Sequence, residues 1–227
     1  MYSMQRIISI LITVLCLMIA AIIHEVAHGA VAYACGDPTA KEAGRLTLNP
    51  LAHIDPTGSI VLPCVMALLG GPVFAYARPV PYNPKRLRHP VRDEVLVALA
   101  GPASNLLQAA LAAAILRFGF LDNPSALTWV ASNEAILVVL DVLSTYMWVN
   151  ISLMLFNLIP LPPLDGSAII SPLLHNKARE MYYRIQAYAM PILIAALYIL
   201  PYLLGWNPIG AYISRVGGAL FDVLLGL

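Results

Sequence analysis

Charge is scarce in this chain of 227 residues: 11% are Asp, Glu, Lys or Arg, and the formal net charge is +1. So little positive charge leaves no electrostatic footprint for nucleic acid, and no nucleic-acid partner is expected. Cysteine is rarer still. Cys16, Cys35 and Cys64 are odd in number and none sits in a C-x-x-C pair, which argues against a disulfide framework or a cysteine-based zinc cluster and leaves them as small apolar fillers. No internal repeat and no low-complexity tract breaks the chain. What remains is apolar: 60% hydrophobic residues and a mean hydropathy of +0.78 describe a protein whose solvent is mostly lipid.

Apolar stretches recur at 7–23, 95–116, 135–159, 187–204 and 208–227. Each approaches the ~20 residues that cover ~30 Å of hydrocarbon at 1.5 Å per residue. The last two are interrupted by Pro191, Pro201 and Gly205. A sixth stretch, 58–76, contains Pro63 and Gly70-Gly71-Pro72, which discourage a continuous helix. Ala32-Tyr33-Ala34 has the small residues of a signal-peptide cleavage site, but the run before it is longer than a usual signal core, and the first span is expected to be retained. Between spans, Arg45-Leu46-Thr47-Leu48 alternates like a short strand, and Asn49-Pro50 and Asp55-Pro56-Thr57-Gly58 read as turns.

The first span ends in His24-Glu25-Val26-Ala27-His28. Histidines at i and i+4 project from one helix face, spaced to hold one zinc ion between their imidazoles. Glu25 sits where a base for a zinc-activated water is required. Catalytic zinc usually takes three protein ligands. The candidate third is Asp165, which follows the fourth stretch in Asn157-Leu-Ile-Pro160-Leu-Pro162-Pro163-Leu164-Asp165-Gly166. There the prolines unwind the helix just before the carboxylate, and Gly166 relieves crowding behind it. A solvated acid at a helix mouth is the other reading of Asp165; with the histidine pair present, the ligand is favoured.

These motifs, with Leu99-Ala-Gly101-Pro102-Ala-Ser-Asn105, resemble the site-2 protease family of intramembrane zinc metalloproteases. The resemblance covers about residues 7–167 and is nearest to a compact prokaryotic type without a PDZ domain and without the extra helix that often precedes the histidine helix. It implies His24, His28 and Asp165 as ligands of one Zn2+ per chain and Glu25 as the catalytic base. For Asn157 it implies a donor to substrate backbone or oxyanion; an interhelical hydrogen bond is the alternative. Asn105 and Asn150 are expected to be structural polar residues. His53 is a candidate fourth ligand or gate, though a lone loop histidine is more often neither. His89 and His175 are expected at the surface.

Geometry constrains the path. One ion can join His24, His28 and Asp165 only if both helix ends lie at one membrane face, so 58–76 should be re-entrant or surface-lying. That arrangement puts ten of the thirteen Lys and Arg residues on the side of the metal and leaves Arg6, Arg117 and Arg215 opposite. The positive-inside rule then makes the metal side cytoplasmic. The expectation is an all-α polytopic membrane protein with five to six membrane helices and a small strand or re-entrant region near the active site. It forms a single membrane-embedded domain over 1–227, with a core at 7–167 and C-terminal helices at 177–227. Its expected partners are the lipid bilayer and transmembrane protein substrates, which it hydrolyses within or near their spans, most naturally in a prokaryotic cell membrane. A strand at 45–48 would offer an edge for unwound substrate to pair with. The alternative is a membrane metal-binding or ion-transport protein using the same His/Asp cluster. Glu25 separates the two, because a carrier needs ligands whereas a hydrolase needs a base beside them. Substrate identity and oligomeric state are not written in the sequence.

Overall fold

The computed structural model describes residues 2–55, 78–123 and 133–227. The first helix, α1 (Tyr2–Ala34), is 33 residues long, about 50 Å at the α-helical rise. Its N-terminal half exposes Ile7, Leu11, Val14 and Leu15 and buries only a narrow stripe of Cys16 and Ala20. These two small side chains let another helix approach closely, as small residues do at membrane helix interfaces.

Four helices are long and apolar enough to cross a membrane: Met4–Ala34, Pro90–Leu121, Glu134–Asn157 and Pro208–Leu225. A fifth span results if Glu180–Gln186 and Ala189–Leu204, bent by 72° at their junction, are one crossing. By length and composition that is four spans, or five with the bent pair, against an expected five to six. The interruptions read at Pro191 and Pro201 show as a chain of short pieces over 189–204.

The core is a three-helix arrangement of α1, α3 (Pro90–Leu116) and α4 (Glu134–Asn157), with the short α2 (Thr39–Glu42) beside it. One face of α3 is buried: Val97, Gly101, Asn105, Gln108, Ala112 and Leu116 recur at three- and four-residue intervals. Pairings along the helices fix their directions. His24 and His28 meet Asn105 and Val97 respectively, so α1 and α3 are antiparallel. Asn105 and Gln108 meet Asn150 and Tyr146, so α3 and α4 are antiparallel too. Cys16 and Ala20 pack with Val142 and Val149, which makes α1 and α4 parallel. Both therefore end on the same side of the bundle, and the chain that leaves α1 returns to α3 on that side. The expectation of a re-entrant or surface-lying 58–76 falls outside the described residues.

After α4 the chain turns through 158–164 into α5 (Asp165–Ile170). Three more helical pieces, α6 (Asn176–Gln186), α7 (Ala189–Ile194) and α8 (Leu200–Leu204), lead to α9 (Pro208–Leu225). Gly217 of α9 lies against Ile151 and Leu155 of α4, and Phe221 meets Trp148 edge-on.

The strand read at 45–48 is absent: the segment is a series of bends. Two of the groups a ladder would use are taken elsewhere: the Arg45 N–H by the Ala40 carbonyl at 2.9 Å and the Thr47 carbonyl by a histidine ring. Arg45 is buried and donates to the carbonyls of Ala52 and Arg78, and the His53 ring donates to the Thr47 carbonyl at 2.8 Å.

Candidate metal centre

His24, His28 and Asp165 converge where α1, α3 and α5 meet, with one donor atom from each within 4.8 Å of the others. Helical periodicity brings the two imidazoles together, their Nε2 atoms 3.1 Å apart. Asp165 completes the cluster, with Oδ2 3.1 Å from His24 Nε2 and Oδ1 3.3 Å from His28 Nε2. Gly166 makes that reach possible. A Cβ there would lie 2.5 Å from the Leu158 carbonyl carbon, so the turn could not fold back on a larger residue.

Behind each imidazole stands a fixed acceptor. His28 Nδ1 is 2.6 Å from the Val97 carbonyl, so it carries the proton and donates. For His24 the orientation is set further away. The Tyr146 carbonyl can only accept, so Asn150 donates its amide N–H to it at 2.9 Å. The Asn150 oxygen is thereby free to accept from the Asn105 amide at 2.8 Å, and the Asn105 oxygen accepts from His24 Nδ1–H at 2.6 Å. Asn105 and Asn150 are both fully buried. Interhelical side-chain hydrogen bonds in membranes average only about 0.6 kcal/mol. The relay's two interhelical links therefore matter less for holding the bundle together than for fixing a ring and its tautomer.

With both Nδ1 atoms protonated, the two Nε2 lone pairs face each other and a carboxylate across about 3 Å. Asp165 Oδ2 is also buried without a hydrogen-bond partner among the described residues. Such a constellation repels itself unless a cation sits within it. Donors about 2.0–2.2 Å from a tetrahedral zinc would be about 3.3–3.5 Å apart, close to the separations seen. The donor set and its spacing fit zinc.

Gly101 is the residue that the sequence motif contained without revealing its use. A Cβ at this position would lie 2.5 and 2.6 Å from His24 Cε1 and Nε2, and closer still to His28 Nε2. The bare backbone of α3 forms the wall against which both rings rest. Small size was legible in the sequence, but what it makes room for was not.

Glu25 lies on the adjacent helix position and accepts a hydrogen bond from the Val80 backbone N–H at 2.8 Å. Asn157 donates to the Leu153 carbonyl of its own helix at 3.0 Å and makes no interhelical bond among the described residues. His53 is 2% exposed, lies outside the three-residue cluster, and is engaged with Thr47. His89 and His175 are exposed.

Comparison with known proteins points to the same metal chemistry. The family model described as Peptidase family M50 matches residues 120–200, the part containing α4 and Asp165. YwhC of Bacillus subtilis, named as a candidate zinc metalloprotease, is 37% identical over 88% of this chain and 82% of its own length. Rip2 of Mycolicibacterium smegmatis, named likewise, is 29% identical over 87% of this chain and 74% of its own length. Rip2 of Mycobacterium tuberculosis is 30% identical over 83% of this chain and 67% of its own length. No solved structure matches the chain.

Proposed function

The chain belongs to peptidase family M50, and from that premise we propose that His24, His28 and Asp165 hold its zinc while Glu25 serves as the general base. The protein is an intramembrane zinc metalloprotease. The observation that carries the residue assignment is the meeting of two Nε2 lone pairs and an unpartnered carboxylate oxygen at tetrahedral spacing.

Bound zinc would polarise the scissile carbonyl and lower the pKa of water at the site towards ~7. The rest is done by the chain. The relay from Tyr146 and the Val97 carbonyl keep the Nε2 atoms deprotonated and aimed. Glu25 takes the proton of the attacking water on a carboxylate oxygen and returns it to the leaving amide nitrogen, and the peptide C–N bond breaks as the new C–O bond forms.

Substrates of this chemistry are transmembrane proteins, cut within or near their spans at the end of the bundle where α1 and α4 terminate. The basic residues gathered on that side, against Arg6 and Arg117 at the other end of the bundle, support a cytoplasmic orientation in a prokaryotic cell membrane. An ion carrier would need the ligands but not Glu25, so the reading is tested there. Wild type and Glu25→Gln are purified, their zinc is measured, and both are offered a panel of transmembrane peptides. Equal zinc with turnover lowered about 10^2- to 10^4-fold in the variant is expected. Equal turnover in both would sink the assignment.

A further inference from the structure

Residues 78–82 read Arg-Pro-Val-Pro-Tyr. Pro79 and Pro81 have no N–H, and each drives the residue before it towards extended backbone. From 79 to 81 the chain thus offers one backbone donor, the N–H of Val80, and it is given to Glu25 Oε2. The side chain of Val80 is 7% exposed, and a Cβ on Gly29 would lie 2.8 Å from its Cγ1. Gly29 is one turn beyond Glu25 on the same face of α1, so Val80 holds the carboxylate with its backbone and seats itself with its side chain.

The segment is tied at both ends. The Arg78 N–H donates to the His53 carbonyl at 2.9 Å, and the Arg78 carbonyl accepts from Arg45 at 2.7 Å. The Asn83 N–H donates to the Asp37 carboxylate. A Glu side chain by itself leaves its carboxylate plane nearly free to rotate, because the last torsion is broad. A charge-assisted bond from a donor that cannot move removes that freedom.

We propose that Pro79-Val80-Pro81 is a positioning strap for Glu25: the Val80 N–H occupies Oε2 and leaves Oε1 as the oxygen that exchanges the proton. Arg45, His53 and Asp37 act one step further back, by holding the strap taut. This rests on the reading of Glu25 as the base. Val80 itself touches neither metal nor substrate.

The test removes the Val80 donor and keeps its side chain. Val80 is replaced through nonsense suppression by its α-hydroxy analogue, which keeps the side chain and converts the amide N–H to an ester oxygen. Zinc per chain, kcat and KM are then measured on a transmembrane peptide. The expected result is kcat lower by about 10- to 100-fold, the range for losing a hydrogen bond to a charged group, with KM and zinc unchanged. The same ester at Tyr82 leaves the Val80 donor in place and should keep wild-type kcat. A Val80 ester with wild-type kcat overturns the proposal, and so does an equal loss at Tyr82. Should the ester protein fail to accumulate, amide hydrogen exchange at Val80 decides: protection in wild type that drops at least about ten-fold in Glu25→Ala supports the strap, and unchanged exchange overturns it. Glu25→Gln keeps the two questions apart. If that variant retains turnover, the assignment of the base falls; if it is inactive while the Val80 ester is fully active, only the strap falls.

Discussion

A single methyl group at Gly101 should abolish metal binding. The Cβ of Gly101→Ala would stand 2.5–2.6 Å from two atoms of the His24 ring, where carbon and nitrogen in contact need about 3.5 Å. Ring or helix must therefore give way by about 1 Å, whereas metal–ligand distances tolerate about 0.2 Å. Neither imidazole can absorb that shift, because His24 is held from behind at 2.6 Å by Asn105 and His28 at 2.6 Å by the Val97 carbonyl. The variant and wild type are purified in detergent, zinc is counted by mass spectrometry, and thermal unfolding is followed with and without chelator. Gly218→Ala, at a glycine with nothing within 4 Å of its added Cβ, is the control for helix propensity. Zinc is expected near one per chain in wild type and the control, and near zero in Gly101→Ala even with added metal. A Gly101→Ala protein that holds a full equivalent would show that the rings do not rest against α3 and that the geometry argued here is wrong.

Other changes should act by separate routes. Asn105→Leu leaves the His24 Nδ1–H buried without its acceptor, and zinc affinity should fall about 10- to 100-fold while turnover recovers at saturating zinc; competition with a chromogenic chelator reads this. Asp165→Asn removes the anionic donor from the cluster, so zinc should be lost to dialysis under conditions in which wild type retains it. Asp37 is fully buried. Against the upward push of that burial, the Thr39 hydroxyl, the N–H groups of Asn83 and Thr39 and the Arg86 charge hold its carboxyl below the ordinary range. A lowered folded-state value means that its stabilisation is complete above the usual carboxylate pKa and is lost as pH falls through the lowered one. The protection of the Thr39 and Asn83 amides, measured relative to their intrinsic exchange at each pH, should therefore fall on acidification, and Asp37→Asn should remove that dependence.

The spans and the histidine pair were legible because each depends on one local rule. Apolar length sets a crossing, and i, i+4 sets a shared face, with no knowledge of neighbours needed. Asp165 was legible through proline chemistry and family likeness together. Gly101 and Val80 were not, since the first acts by lacking a side chain and the second through its backbone, and neither property leaves a distinctive letter. The alternation at 45–48 misled for a related reason: period two marks a strand only when the backbone groups are free to pair, and here the Arg45 N–H is given to the Ala40 carbonyl and the Thr47 carbonyl accepts from His53. Asn157 was read for its polarity in an apolar helix; one of its amide N–H groups goes to its own i−4 carbonyl, a bond that does not use its amide oxygen or its second N–H.

The two buried asparagines have a polarity of their own, in the sense of a one-way street. Because the Tyr146 carbonyl can only receive, every amide upstream is compelled to point the same way, and the last arrow lands on His24. An aspartate at 150 could not hand a proton to that carbonyl, and a histidine at 105 would need to be donor and acceptor at fixed places along a different length. The residues at 105 and 150 are thus exchangeable only as a matched couple, and a graft of the histidine helix into another bundle would have to bring two foreign helices with it.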